Sequence, residues 1–235
     1  MYTVKYAPAT VTSFISAISF VHKLLGLQDP GESHTIKKML QGFRRMAGQP
    51  DGRLPITEGI LLSILNAAKS VFPCAITCAR FSAMCSLAFY ALLRPGEITE
   101  SHNNLQFSDA HLDRDKIILQ FRSFKHSQGA LSTHTITAKP GSPACPLRSM
   151  SNFMIFRGNK PGPLFTTTNN KAVGRRDFAK ELRSVIQFLG MDIKRYTPHS
   201  FRIGGASSLA AAGASDAQIR QAGRWASSAF LNYIR

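Results

Sequence analysis

The chain has 235 residues, 44% hydrophobic and 18% charged, which suits a packed core and argues against disorder. Its 29 Lys and Arg against 13 Asp and Glu give a formal charge of +16, which suits a polyanionic partner, nucleic acid before acidic membrane. The four cysteines do not form the dense pattern of a disulfide frame; Cys74, Cys78 and Cys85 fall in one apolar run and read as buried thiols.

Met1 leads into "YTVKYAPAT", which lacks the apolar core of a signal peptide. "SFISAISFVHKLLGL" then sets Phe14, Ile18, Val21 and Leu25 on one helix face. "GESHTIKKMLQGFRRM" repeats the pattern with Ile36, Leu40 and Phe43, and its other face carries Lys37, Lys38, Arg44 and Arg45. "AGQPDGRLP" (47–55) reads as a linker, dividing the chain into 1–50 and 51–235. Thr57 is placed to cap a helix through "ITEGILLSILNAAKSVF". The next helix, about 75–92, is apolar but interrupted by Arg80, and it reads as buried rather than membrane-spanning. Cys74 and Cys78 are four apart, yet no second Cys or His pair follows at ligand spacing, so no metal site is expected.

Between about 104 and 138 the period changes. "LQFS", "KIILQF" and "STHTITA" predict a small antiparallel meander, with "SFKHSQG" between the last two. Helical spacing returns with Phe178, Leu182, Val185 and Leu189, ended by Gly190. Thr197 and Pro198 open a further helix that Gly213 closes. Ser215 and Gln218 form the capping box of the next, which Gly223 closes. The fold class is mostly α with one small antiparallel β-sheet.

Several residues in this framework carry chemistry. His199 and Arg202, three apart, can point at one place; a guanidinium matches two phosphate oxygens and an imidazole can donate or move a proton. Arg94 follows the apolar helix in "YALLRPGEIT", where Glu97 either neutralises it or orients it as a second phosphate clamp. Lys125, between two predicted strands, is either a solvated loop lysine or one that reaches a neighbouring groove. Tyr233 is a packed terminal tyrosine or a nucleophile, the latter requiring a cationic pocket and a proton acceptor. Trp225 is a packing anchor whose indole N–H can also reach a phosphate oxygen.

In order, "LLRPGE", "FKHSQG", "HSFR", "GRW" and "NYIR" resemble the signature of the tyrosine recombinase (phage integrase) family: an arginine after a buried helix, a hairpin lysine, HxxR, and a His or Trp shortly before the tyrosine. The stretch from "PHSFRIGG" to the end is most similar to the Cre-like and eukaryotic mobile-element recombinases. The resemblance implies a partial helical core-binding, DNA-clamping domain at 1–50 and a catalytic recombinase domain at 51–235. It implies further helices ahead of this chain's first and a helix after the tyrosine, where only Ile234 and Arg235 follow. The implied chemistry is metal- and cofactor-free transesterification of double-stranded DNA, with Tyr233 as nucleophile, Arg94 and Arg202 stabilising the phosphorane, His199 managing the tyrosine proton, Lys125 protonating the leaving oxygen and Trp225 bracing the phosphate. Lys37, Lys38, Arg44, Arg45, Arg175 and Arg176 are candidate DNA-backbone contacts or plain solvated faces. A tetramer on DNA is the implied assembly, with no membrane and no small-molecule substrate. A eukaryotic source implies the nucleus and a bacterial or phage source the cytoplasm. The competing expectation is a silent relic that holds DNA through its charge without cutting it.

Overall fold

Proline starts, hydroxyl caps and helical apolar spacing make most of the chain helical. A computed structural model describes residues 6–46, 51–122 and 131–235. Two compact units result, Met1–Gly52 and Arg53–Arg235.

In the first unit, α1 (Pro8–Leu24) starts on a first-turn proline, and a 3-10 turn at Pro30–Glu32 leads to α2 (His34–Met46). Asp29 fixes that turn by accepting from the Gly31 N–H at 2.7 Å and pairing with Lys23 at 3.0 Å. The two helices pack on each other, and Val11 and Ile15 of the first and Ile36, Met39, Leu40 and Phe43 of the second line a small apolar pocket. The apolar face that the spacing sets out, Phe14, Ile18, Val21 and Leu25, is exposed. Helical periodicity reports that a face is apolar; what covers it is a tertiary matter.

The second unit is built around α4 (Ala75–Tyr90), whose residues Phe81, Ala83, Met84, Cys85 and Leu87 are fully buried. Packed on it are α3 (Glu58–Val71), capped by Thr57, and α6 (Pro146–Arg157), a helix that the sequence reading passed over. The third partner is α8 (Ser200–Ala211), while α7 (Arg175–Phe188) lies against α3. A run of ring contacts ties α4 to α7 and α8: Phe81 to Phe178 at 6.0 Å, then Phe178 to Phe201 at 6.3 Å. Burying each ring contributes about 2 kcal/mol, so Phe201 anchors the residue after it, Arg202. Arg80 sits in this helix because Glu181 of α7 pairs with it inside the unit. Burial raises the Glu181 pKa, and the Arg80 charge opposes that rise. No helix among the described residues is long and apolar enough to cross a membrane.

The sheet is a meander of β1 (Ala110–Leu112), β2 (Lys116–Phe121) and β3 (Ser132–Thr137), in the order β1-β2-β3 and antiparallel throughout. Ile117, Leu119 and Phe121 face the core, opposite Ile136, His134 and Ser132 in register. "LQFS" is not a strand. Asp109 accepts from the Gln106 N–H at 2.8 Å and closes a 3-10 turn at Phe107–Asp109, so pairing within the meander starts at Ala110, while Gln106 makes an isolated antiparallel bridge to Pro163.

Backbones approach closely where α8 enters the core. A Cβ on Gly204 would lie 1.7 Å from the Ile56 carbonyl oxygen, and one on Gly205 would lie 2.3 Å from that of Phe89. The two glycines after "SFRI" let α8 sink between the 54–56 segment and the end of α4, carrying Arg202 inward.

Candidate active site

Beyond α4 the chain turns sharply. Leu92 takes φ +49, a left-handed conformation that costs a non-glycine residue about 1 kcal/mol. The turn delivers Arg94 to the N-cap of a short helix, α5 (Pro95–Ile98). Glu97, in its first turn, accepts the Arg94 backbone N–H at 2.7 Å and the Arg94 Nη1 at 3.2 Å. The carboxylate is buried, whereas the Arg94 side chain keeps 24% of its surface exposed. Glu97 thus pairs with Arg94 through both the backbone and the side chain of that residue.

α8 supplies the second arginine. It begins at Ser200, two residues beyond the predicted start, because the Ser200 Oγ accepts the Thr197 N–H at 3.0 Å and holds 197–199 as a turn. His199 is therefore the N-cap residue, not a helix-interior one; its φ of −75° and ψ of −20° continue the helical path towards Arg202. Arg202 is completely buried. It donates through Nη1 to the Leu92 carbonyl and through Nη2 to the Gly223 carbonyl at 2.7 Å. Its Nε has no hydrogen-bond partner among the described residues. Burial first, then the charges of Arg94 and Arg224, lower its pKa to about 9, still charged at neutral pH.

The last elements close the pocket. α9 (Asp216–Gly223) starts on the predicted capping box and ends in a Schellman turn, with the Trp225 N–H on the Arg220 carbonyl at 2.9 Å. The left-handed residue of that turn is Arg224, at φ 55, and not Gly223 as the sequence suggests. Gly223 is required for another reason: a Cβ there would lie 1.6 Å from the Trp225 ring. The indole so placed lies under the Arg202 guanidinium at 4.0 Å.

A 3-10 turn at Ser228–Tyr233 then brings the tyrosine back onto α8. Ser207 of α8 pins it, donating to the Tyr233 carbonyl at 3.1 Å and accepting the Arg235 N–H at 3.0 Å. The Tyr233 ring lies 5.1 Å from Trp225, 5.2 Å from His199 and 5.4 Å from the Arg202 guanidinium.

Arg94, Glu97, His199, Arg202, Trp225 and Tyr233 therefore gather at one place. Lys125 lies outside the described residues, in the connection between β2 and β3. Arg175 and Arg176 are exposed at the start of α7, with the Arg175 Nη2 3.3 Å from where a Gly96 Cβ would stand. Lys37, Lys38, Arg44 and Arg45 are exposed on α2; Lys37 pairs with Glu32 and Arg44 donates weakly to Thr12 at 3.4 Å. Among the described residues, no three His, Cys, Asp or Glu side chains group as a metal site.

Two site neighbours escaped the sequence reading. Arg224 is buried, donates to Glu97 Oε2 at 2.8 Å and lies over the Phe121 ring at 4.0 Å. His134 of β3 is half-buried on the same sheet face as Phe121. Burial first and then the Arg224 charge lower its pKa from 6.5 to about 4, with Glu97 opposing. The unfolded chain therefore binds more protons than the folded one across that window. His134 contributes its full stabilisation above pH 6.5 and loses it as the pH falls towards 4. Denaturant melts at pH 7 and pH 4.5 should show His134→Gln losing less stability on acidification than the wild type, by about 2 kcal/mol. Equal losses in the two proteins would contradict a neutral His134.

No protein-family model matches the chain, and no curated protein matches it in sequence. Solved structures do. A crystal structure of XerA recombinase superposes with a TM-score of 0.60 at 19% identity, covering 98% of this chain and 72% of that one. The post-cleavage complex of XerH site-specific recombinase with palindromic difH substrate gives 0.68 at 17%, covering 95% and 60%. A lambda integrase dimer bound to a COC′ core site gives 0.62 at 16%, covering 97% and 59%. The chain thus has the α+β fold of tyrosine recombinases, while spanning less than two thirds of the XerH and integrase chains.

Proposed function

We propose that this chain cuts and rejoins DNA strands through a 3′-phosphotyrosine on Tyr233, in support of site-specific recombination or integration. The observation that carries the reading is the packing of the Tyr233 ring against His199, Trp225 and Arg202 beside a cationic cluster. Arg94, Arg202 and Arg224 against the single carboxylate of Glu97 leave two positive charges unbalanced in a partly dry pocket, where they act strongly on a phosphodiester.

In the proposed reaction the Tyr233 oxygen attacks phosphorus and the bond from phosphorus to the 5′ oxygen breaks. The phenolic proton leaves with the help of His199, and Lys125 protonates the departing 5′ oxygen. Arg94 and Arg202 stabilise the charge that grows on the non-bridging oxygens, and Trp225 braces the phosphate. Because the phosphotyrosyl linkage replaces one phosphoester by another, a 5′-hydroxyl can reverse the step without a nucleotide cofactor. Residues 1–50 form a partial core-binding domain in this reading, with Lys37, Lys38, Arg44 and Arg45 on DNA phosphates, and Arg175 and Arg176 adding contacts from 51–235. Double-stranded DNA is the partner and a tetramer on DNA the assembly. Within the family the motifs in "PHSFRIGG" and "GRW" favour the Cre-like, eukaryotic mobile-element type.

The charge of +16 serves a second reading equally well, that of a DNA-binding relic which no longer cuts. The deciding experiment offers the protein a library of nicked duplexes that trap any covalent intermediate. Mass spectrometry then maps the adduct. A phosphodeoxynucleotide on Tyr233 is the expected result; salt-sensitive binding with no adduct on any duplex would establish the relic instead.

A further inference from the structure

The environment of Arg224 contains more than a helix terminus requires. Its backbone is at φ 55 and ψ 48, the left-handed region that glycine fills at no cost and that a long side chain enters only against strain. Gly223 stands one residue away, so the sequence spends its glycine beside Trp225 and places an arginine in the left-handed position. The arginine side chain is then buried to 3% exposure. It donates Nη2 to Glu97 Oε2 at 2.8 Å across 127 residues of sequence, while its ring partner Phe121 belongs to the sheet. Glu97 Oε1 receives Arg94 Nη1 at the longer distance of 3.2 Å. One carboxylate thus serves two guanidiniums, and the closer, more buried contact goes to the one farther from solvent.

We propose that Arg224 is a positioning residue of the phosphate pocket: by sharing Oε2 of Glu97 with the Arg94 backbone N–H it draws on the charge of that carboxylate and prevents it from fully neutralising the Arg94 guanidinium, which stays available to an incoming phosphate. The inference rests on the strand-transfer reading of the site. The same Oε2 also accepts the Arg94 backbone N–H at 2.7 Å, so without Arg224 the carboxylate keeps its place but loses its second cation, and its charge turns to the Arg94 guanidinium alone. Arg94 would then be spent on a protein carboxylate. Arg224 touches neither Tyr233 nor, by this geometry, the reacting phosphorus; it acts through Glu97.

The test is Arg224→Gly, which removes the side chain and relaxes the left-handed turn, so the fold has a compensating gain. Circular dichroism checks the fold; should the glycine variant be unfolded, Arg224→Asn carries the same test, since Asn tolerates this backbone region. Two quantities are read. Adduct formation on a nicked duplex should slow by about 10- to 100-fold with DNA affinity within about twofold, the pattern of a lost outer partner. Inorganic orthovanadate, a phosphate mimic, should bind about tenfold more weakly by calorimetry. In a Glu97→Gln background both losses should shrink to within about twofold, because the carboxylate through which Arg224 acts is gone. Wild-type adduct rate and unchanged vanadate affinity in a folded Arg224→Gly protein would overturn the proposal, and so would an undiminished loss in the Glu97→Gln background. The vanadate titration separates the two ideas. If wild-type protein forms no adduct on any duplex, the strand-transfer reading fails, while the vanadate affinities still decide whether Arg224 positions the anion pocket.

Discussion

Tyr233→Phe should abolish the proposed covalent DNA adduct and leave DNA binding within about twofold, a selective loss of at least ~10⁴-fold in adduct formation. The reason is geometric. Phenylalanine keeps the ring that packs at 5.2 Å from His199 and 5.1 Å from Trp225, and it keeps the backbone carbonyl that Ser207 holds. Only the hydroxyl goes, so stability should change by no more than about 1 kcal/mol. Trapping on a nicked duplex, followed by a denaturing gel, reads the chemistry; filter binding at matched salt reads the affinity, which depends strongly on ionic strength. An adduct that survives the substitution would move the nucleophile elsewhere, and Tyr233 would revert to a ring that packs the chain terminus on α8. Loss of binding together with the adduct would mean that the hydroxyl serves the DNA interface rather than the reaction.

Much of this site is legible in the sequence because its members lie in short motifs with local geometry. The three-residue step from His199 to Arg202 survives although the helix starts later than the Thr197-Pro198 pair suggests, because the turn before it keeps helical dihedrals. Arg94 and Glu97 are likewise one helical turn apart. What stays hidden is long-range. Nothing near Arg224 points to Glu97, 127 residues away, and the adjacent Gly223 looks like the natural left-handed terminator. It is not, because the Trp225 ring occupies the space where any larger residue would stand. His134 shows the same limit: the alternation in "STHTITA" predicts a strand, yet only the pairing of His134 with Leu119 sets its imidazole on the face towards Arg224. α1 gives the converse lesson. Its apolar spacing identifies the helix, whereas the exposure of Phe14, Ile18 and Val21 depends on neighbours that periodicity does not describe.

Arg202 offers the second large effect, and it separates charge from shape. Its guanidinium performs several tasks at once: it donates to the carbonyls of Leu92 and Gly223, it lies at 4.0 Å over Trp225 and it faces the Tyr233 ring. Arg202→Lys keeps the charge, but an ammonium has no planar fork with which to reach two carbonyls in different directions while stacking on an indole. At least one of these buried acceptors loses its donor, a cost of about 1–3 kcal/mol seen as a lower melting temperature. Adduct formation should fall by about 10²- to 10³-fold, as when one preorganised donor is removed from a developing oxyanion. The two losses have separate readouts, melting for the carbonyl contacts and single-turnover cleavage on a nicked duplex for the phosphate contact. A lysine variant with lowered stability and an unchanged cleavage rate would make Arg202 a structural cross-brace between Leu92 and Gly223 and leave the phosphate to Arg94. If both fall, the guanidinium that closes the core also serves the reaction, and this explains why the chain accepts the left-handed Leu92 and the close backbone approach at Gly204 and Gly205: both lie where α8 must press inward to carry Arg202 beneath Tyr233.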